Sequence, residues 1–248
     1  MSGIAIITGG SRGIGAASAI LAGKRGYSVC VNYASNAAAA EAVVEKITGA
    51  GGKALAVQGD VAIEADVIRL FETVDRELGS VTALVNNAGV VDVTARVDAM
   101  SYDRLLRMMT INVIGSFIAA REAVKRMSTK YGGKGGGIVN LSSVAAKLGA
   151  PASYVDYAAS KGAIDTFTLG LALEVAKEGI RVNAVRPGII DTDIHASGGI
   201  PDRVDRMRDS IPMAREGSAE EVAETILWLL SGKSSYTTGA LIDVSGGR

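Results

Sequence analysis

The sequence predicts an α/β fold: a doubly wound parallel sheet of seven strands, with helices on both faces, in a single domain. Short apolar runs rich in β-branched residues alternate with longer helical patterns from end to end, and glycines stand where the helices should stop. No Pro- or Ser-rich linker divides the 248 residues. Strictly alternating β and α elements imply a parallel sheet covered on both sides.

The elements follow in order. Strands are expected at Ile4–Thr8, Ser28–Tyr33, Lys53–Gln58, Ala83–Asn86, Gly137–Leu141, Arg181–Val185 and Leu241–Asp243. They are short and β-branched, which favours a buried strand over a buried helix. Helices are expected near 13–25, 37–50, 64–78, 101–127, 154–178 and 219–231, and Gly26, Gly51, Gly79 and Gly179 mark the ends of four of them. Ser218 and Glu221 form a capping box for the last. The glycine cluster at 132–137 reads as an exposed turn before the fifth strand rather than a domain boundary.

Composition narrows the function. The chain is 48% hydrophobic but only 4% aromatic, so its core is built from Ala, Val, Ile and Leu. Basic and acidic residues both number 26, which argues against nucleic acid as the main partner. The one cysteine, Cys30, sits in the run Val29-Cys30-Val31 and is expected to be a buried small hydrophobe. A lone cysteine fits a reducing compartment. There is no basic segment leading into a secretory apolar stretch, and no apolar run near the roughly 18 residues of a membrane span. A soluble, cytoplasmic protein with no membrane partner and no metal site is expected.

The first strand runs into Thr8-Gly9-Gly10-Ser11-Arg12-Gly13-Ile14-Gly15, which opens a helix. Strand, glycine turn and helix form the Rossmann-type context for a dinucleotide. Glycines let the backbone approach the pyrophosphate, which rests on the helix N-terminus. Gly9, Ser11, Arg12, Gly13, Ile14 and Gly15 are therefore candidate cofactor contacts. About 20 residues on, a carboxylate usually receives the ribose 2′-hydroxyl. Here the second strand ends Val31-Asn32-Tyr33-Ala34-Ser35, without Asp or Glu. A 2′-phosphate would meet no repulsion beside Asn32 and Tyr33, and Arg12 can supply a cation. NADP(H) is favoured and NAD(H) remains possible. Asp60-Val61 after the third strand and Asn87-Ala88-Gly89 after the fourth lie at further strand ends, where open parallel sheets bind ligands.

Tyr157 and Lys161 lie one helical turn apart and share a face. A free phenol titrates near 10, too high for a base at neutral pH. A neighbouring ammonium stabilises the phenolate. A lowering of about three pH units needs about 4 kcal/mol, which a desolvated lysine and a cationic nicotinamide together could provide. The spacing alone is weak evidence. Tyr154 has Ala158 where its lysine should stand.

Taken in order, the Thr8–Gly15 turn, Asn86-Asn87-Ala88-Gly89, Asn112, Ser142-Ser143, Tyr157-x3-Lys161 and Arg186-Pro187-Gly188 resemble the short-chain dehydrogenase/reductase family over essentially the whole chain. The resemblance implies a catalytic tetrad of Asn112, Ser143, Tyr157 and Lys161. Ser143 would bond the substrate oxygen, and Tyr157 would give or take its proton. Lys161 would bind the nicotinamide ribose and tune Tyr157, while Asn112 would hold a water linking Lys161 to solvent. Pro187, Gly188, Ile190 and Thr192 would close over the nicotinamide amide, with a substrate lid about 191–211. His195, in that lid, is expected to be a surface polar residue.

The resemblance is nearest to bacterial 3-oxoacyl-thioester reductases, glucose 1-dehydrogenase-like enzymes and uncharacterised oxidoreductases. However, the interval from Ser143 to Tyr157 is one residue longer than is common among the acyl-carrier-protein reductases, and the extra residue falls in Gly149–Asp156. The family further implies a small-molecule carbonyl or alcohol substrate and a homotetramer joined through the helices at 101–127 and 154–178. A reading of another class, a non-catalytic NADP(H)-sensing regulator, gives no reason to keep Tyr157 and Lys161.

Overall fold

The computed structural model describes residues 3–192 and 207–248. Among them, β1 (Ile4–Ile7), β2 (Ser28–Tyr33), β3 (Lys53–Gln58), β4 (Ala83–Asn86), β5 (Gly136–Leu141), β6 (Ile180–Pro187) and β7 (Leu241–Val244) form one sheet in the order β3-β2-β1-β4-β5-β6-β7. Every pairing is parallel. Order reverses between β1 and β4, and a crevice opens there at the strands' carboxyl ends. The strand expectations hold to within a residue or two. β6 differs most, continuing two residues further, through Arg186 and Pro187, because β7 pairs with both.

Strand alternation divides the core into two layers. Ala5, Ile7, Val29, Val31, Val85 and Val139 face one layer, while Ile6, Cys30, Leu84 and Ile138 face the other. The first layer is covered by α1 (Gly13–Lys24), α2 (Ala37–Gly49) and α8 (Ala219–Leu230). The second is covered by α3 (Glu64–Glu77), α5 (Gly115–Met127) and α7 (Val155–Val175). α3 shows the usual logic: Val67, Leu70, Phe71 and Val74 recur at helical spacing and are all buried. Cys30 is fully buried and its thiol is pushed up by desolvation, as its apolar neighbours imply.

Helix termini are set locally. Asn36 accepts from the Ala39 N–H at 3.0 Å to start α2. The Ser218–Glu221 capping box closes from both sides, at 3.2 and 2.9 Å, to start α8. The helix expected over 101–127 is instead α4 (Tyr102–Met109), a π-helical turn at Thr110–Ile114, and α5. The wider turn carries Asn112, which faces inward and bonds the backbone of Val90. One short helix, α6 (Ala145–Leu148), has no counterpart in the sequence reading, since four residues are too few to show a period.

Candidate active site

The glycine turn is shaped by its own backbone. Gly9 and Gly13 have φ of 60° and 51°, a region that side chains with a Cβ rarely adopt. A Cβ on Gly15 would stand 2.3 Å from the Gly9 carbonyl oxygen and 2.5 Å from Asn87 Nδ2. Asn87 Nδ2 donates to the carbonyls of Thr8 and Gly9, each at 2.9 Å, and Thr8 Oγ1 accepts from the N–H groups of Asn87 and Ala88. Arg12 stands at the cap of α1 with no side-chain cap bond, and the first turn carries no acid. That open, uncapped N-terminus beside a glycine cradle fits a pyrophosphate.

Some expected contacts have other work. Asn32 is 2% exposed, accepts from Gly9 N–H and donates to the Val57 and Gly59 carbonyls, so its side chain staples β1, β2 and β3. Asp60 Oδ1 accepts from Ala62 N–H at 2.9 Å, an Asx turn that orients the start of α3. Val61 is buried against Gly115. Tyr33 ends β2 half-buried, and Arg12 is exposed.

A cavity of about 410 Å³ opens at the carboxyl edge and collects Ser143 from the loop after β5 and Tyr157 and Lys161 from α7. Ile14, Asn87, Gly89, Pro187, Gly188, Ile190 and Thr192 also line it. Gly9, Ser11, Arg12, Gly13, Gly15, Ala88, Asn32, Tyr33, Asp60 and Val61 do not; apart from Ala88, which follows β4, they belong to β2 and to the turns after β1 and β3.

Lys161 is 5% exposed. Its Nζ donates to the Leu141 carbonyl at 2.6 Å and lies 5.6 Å from the centroid of the Tyr157 ring. Burial lowers its pKa to about 8, and the Asp165 carboxylate opposes that fall. Asp165 is in turn held by Arg186 at 2.8 Å. Asn112 is fully buried. Its Oδ1 accepts from Val90 N–H at 2.8 Å, and its Nδ2 donates to the Val90 carbonyl and to Ser160 Oγ. Between Asn112 and Lys161 lies Gly89: a Cβ there would stand 3.4 Å from Asn112 Oδ1 and 3.6 Å from Lys161 Nζ.

The two serines part company. Ser142 Oγ donates to the Lys161 carbonyl and is 3% exposed, whereas Ser143 Oγ accepts from Ala145 N–H and keeps its own proton to donate. Both touch the cavity, but only Ser143 has a hydroxyl proton uncommitted to a described bond.

Several lining residues escaped the sequence reading: Val91, Val144, Leu148, Ala150, Pro151 and Tyr154. Tyr154, which lacks a lysine one turn on, is nonetheless 4% exposed and faces the cavity. Apolar residues on a turn carry no spacing signal. The ion pair of Arg104 with Asp156, at 2.8 Å, was equally silent, because its partners come from α4 and α7. His195 and most of the lid expected at 191–211 lie outside the described residues. No helix among the described residues is long and apolar enough to cross a membrane.

A family model described as Enoyl-(Acyl carrier protein) reductase matches residues 9–248. An uncharacterised oxidoreductase of Escherichia coli (strain K12) is 56% identical over 245 residues, 99% of either chain. Glucose 1-dehydrogenase 2 of Bacillus subtilis (strain 168) is 39% identical over 243 residues, covering 98% of this chain and 93% of its own. A solved short-chain dehydrogenase/reductase from Serratia marcescens superposes with a TM-score of 0.91 at 33% identity, covering 99% of this chain and 97% of that one.

Proposed function

Because this chain belongs to the short-chain dehydrogenase/reductase family, we propose that it is an NADP(H)-preferring oxidoreductase that interconverts a small carbonyl compound and its alcohol, with Tyr157 as the acid and base. That it is an oxidoreductase binding a nicotinamide dinucleotide follows from the family. The observation that carries the rest is the buried Lys161 ammonium, 5.6 Å from the Tyr157 ring centroid, with the Ser143 hydroxyl on the same cavity.

The nicotinamide, when bound, supplies or accepts the hydride. The chain's own residues handle the other charge. As a carbonyl carbon gains hydride, its oxygen becomes an alkoxide; Ser143 donates a hydrogen bond to that oxygen and Tyr157 gives it a proton. Lys161 stabilises the phenolate left behind. It can do so because it is held near the ring in a desolvated site, where a charge acts more strongly than in water. Asn112 positions the loop at Val90 and, through Ser160, the helix that carries Tyr157.

Preference for NADP(H) rests on the exposed Arg12 at the cap of α1 and on the missing carboxylate at the end of β2. The test is a panel of carbonyl compounds and alcohols, each with both cofactors. Turnover of at least one member is expected, with tighter binding of NADPH than NADH. Equal affinities, or an Arg12→Ala variant with unchanged preference, would remove the argument for the phosphate.

The same reading places the protein in the cytoplasm, in keeping with its one buried thiol, and assembles it as a homotetramer. Supporting the assembly, α4, α5 and α7 leave Leu106, Met109, Phe117, Leu169 and Leu173 exposed, Leu173 by 83%. Light scattering on the eluting protein should give four chains; a monomer would refute it.

A further inference from the structure

The cavity beside Tyr157 has two walls of unlike chemistry. One, from Asn87, Gly89 and Pro187–Ile190, is the wall assigned above to nicotinamide. The other consists of Val91, Val144, Leu148, Ala150 and Pro151, with Ser143 and Tyr157 at its foot. Polar groups near this second wall are already engaged. Ser142 donates to the Lys161 carbonyl, and both Tyr154 and Arg248 have partners within the protein. Behind it, the Arg104 guanidinium is committed to Asp156 and to the Val93 carbonyl.

We infer that the substrate's reacting carbon is flanked by alkyl, alicyclic or aryl groups, so that the protein acts on apolar ketones and secondary alcohols rather than on sugars or polyols. The inference rests on Tyr157 and Ser143 being the reacting pair. An aldose carries a hydroxyl on nearly every carbon. Each would lose water on entering and find no partner among the described residues of this wall. An apolar flank leaves nothing unpaired and gains by leaving water. Proton and electron accounting is the same for either class: the carbinol C–H leaves as hydride to the oxidised nicotinamide, and the O–H proton passes to the Tyr157 phenolate.

The wall is also fixed in shape. Ala95 N–H donates to the Ser153 carbonyl and Tyr154 N–H to the Ala150 carbonyl, which clamps the turn from both sides. Ala150 and Ala152 hold φ of 45° and 53°, a region unfavourable for alanine that persists only where the surroundings impose it. This is the stretch that contains the extra residue between Ser143 and Tyr157. Its cost in backbone strain presents Ala150 and Pro151 to the cavity, and the one polar side chain the stretch adds to the lining, Tyr154, already has a partner within the protein.

The test compares 1-phenylethanol and cyclohexanol with glucose and sorbitol, each with NADP+ and with NAD+. With the better cofactor, kcat/KM for the apolar alcohols should exceed that for the polyhydroxy compounds by at least about 100-fold. Leu148→Asn, at a half-exposed position that tolerates an amide, should raise KM for 1-phenylethanol about tenfold with kcat and NADP+ affinity unchanged. Glucose or sorbitol turned over as well as the apolar alcohols would overturn the substrate class while leaving the reaction intact. A Leu148→Asn variant with unaltered KM would overturn the role of the wall. No turnover of either set by a protein that binds NADP+ would overturn the proposed function itself, and the substrate class with it.

Discussion

Two regions share the carboxyl edge of the sheet, and they are built differently. On the β1–β3 side the geometry is made by backbone: left-handed Gly9 and Gly13, the close approach at Gly15, and the side chains of Thr8, Asn32 and Asn87 bonded to main-chain groups around them. On the β5–α7 side, beyond the reacting residues, it is made by the bulk of interchangeable apolar side chains on an irregular turn. Backbone recognition tolerates few residues at each position, so it leaves a motif in the sequence. Apolar recognition tolerates many, so it leaves none. Under the proposed function, the cofactor half is therefore general and readable, and the substrate half is particular and silent.

The two regions should respond to substitution in different ways. The largest effect on the cofactor side is expected from Gly15→Ala, because the added carbon meets backbone that cannot withdraw. NADPH affinity measured by fluorescence titration should fall by about 100-fold or more, about 3 kcal/mol; an unchanged affinity would show that the turn is not the binding cradle. On the reacting side the serines give the sharper contrast. Ser143→Ala should lower kcat by about 100-fold, the cost of one donor to the developing alkoxide. Ser142→Ala should leave kcat nearly unchanged and cost about 1 kcal/mol of stability by removing the bond to the Lys161 carbonyl. The reverse order would move the catalytic role to Ser142.

Lys161 makes a contribution that depends on pH. Burial lowers it from 10.5 to about 8 in the folded protein. Between those values the unfolded chain binds the proton that the folded protein gives up, so stability from this group rises with pH across that window. Below it, where both states are protonated, the group destabilises by a constant amount of about 3 kcal/mol. Urea unfolding of the cofactor-free protein should show this rise, and Lys161→Met should flatten it relative to wild type. Identical slopes would mean that Lys161 is solvated. Smallest is Ala150→Gly: relief of the left-handed alanine, less glycine's greater chain entropy, should stabilise the fold by about 0.5 kcal/mol while KM for the apolar alcohol rises through a loosened wall.

How much of this was legible follows the same division. The central strands were readable because their residues are buried on both faces and rich in β-branched types, the edge strands β3 and β7 because they are short apolar runs set off from the helical patterns, and the caps because Ser218 and Glu221 must stand three apart. Thr8, Asn87 and the glycines announced the cradle by order and spacing. Asn32 was read as a cofactor contact from its place at the end of β2. Its bonds to Gly9, Val57 and Gly59 become visible only when three strands are aligned. The π turn around Asn112 was hidden inside a continuous helical pattern, since one extra residue per turn barely disturbs the periodicity. Tyr154 looked idle for want of a lysine partner. Its contribution to the cavity depends on the turn at 149–153, whose left-handed alanines no residue-type rule anticipates. The Arg104–Asp156 pair, 52 residues apart in sequence, is a tertiary fact.

The central claim is that the two halves meet at one phenol and can be separated there. The most direct measurement is Tyr157→Phe, assayed for NADPH binding by fluorescence and for NADPH oxidation with a carbonyl substrate that the wild type reduces. Binding within about twofold of wild type is expected, with kcat lowered by about 100-fold or more, in the range of a positioned acid and base. A variant that binds NADPH and still turns over at near the wild-type rate would contradict that claim.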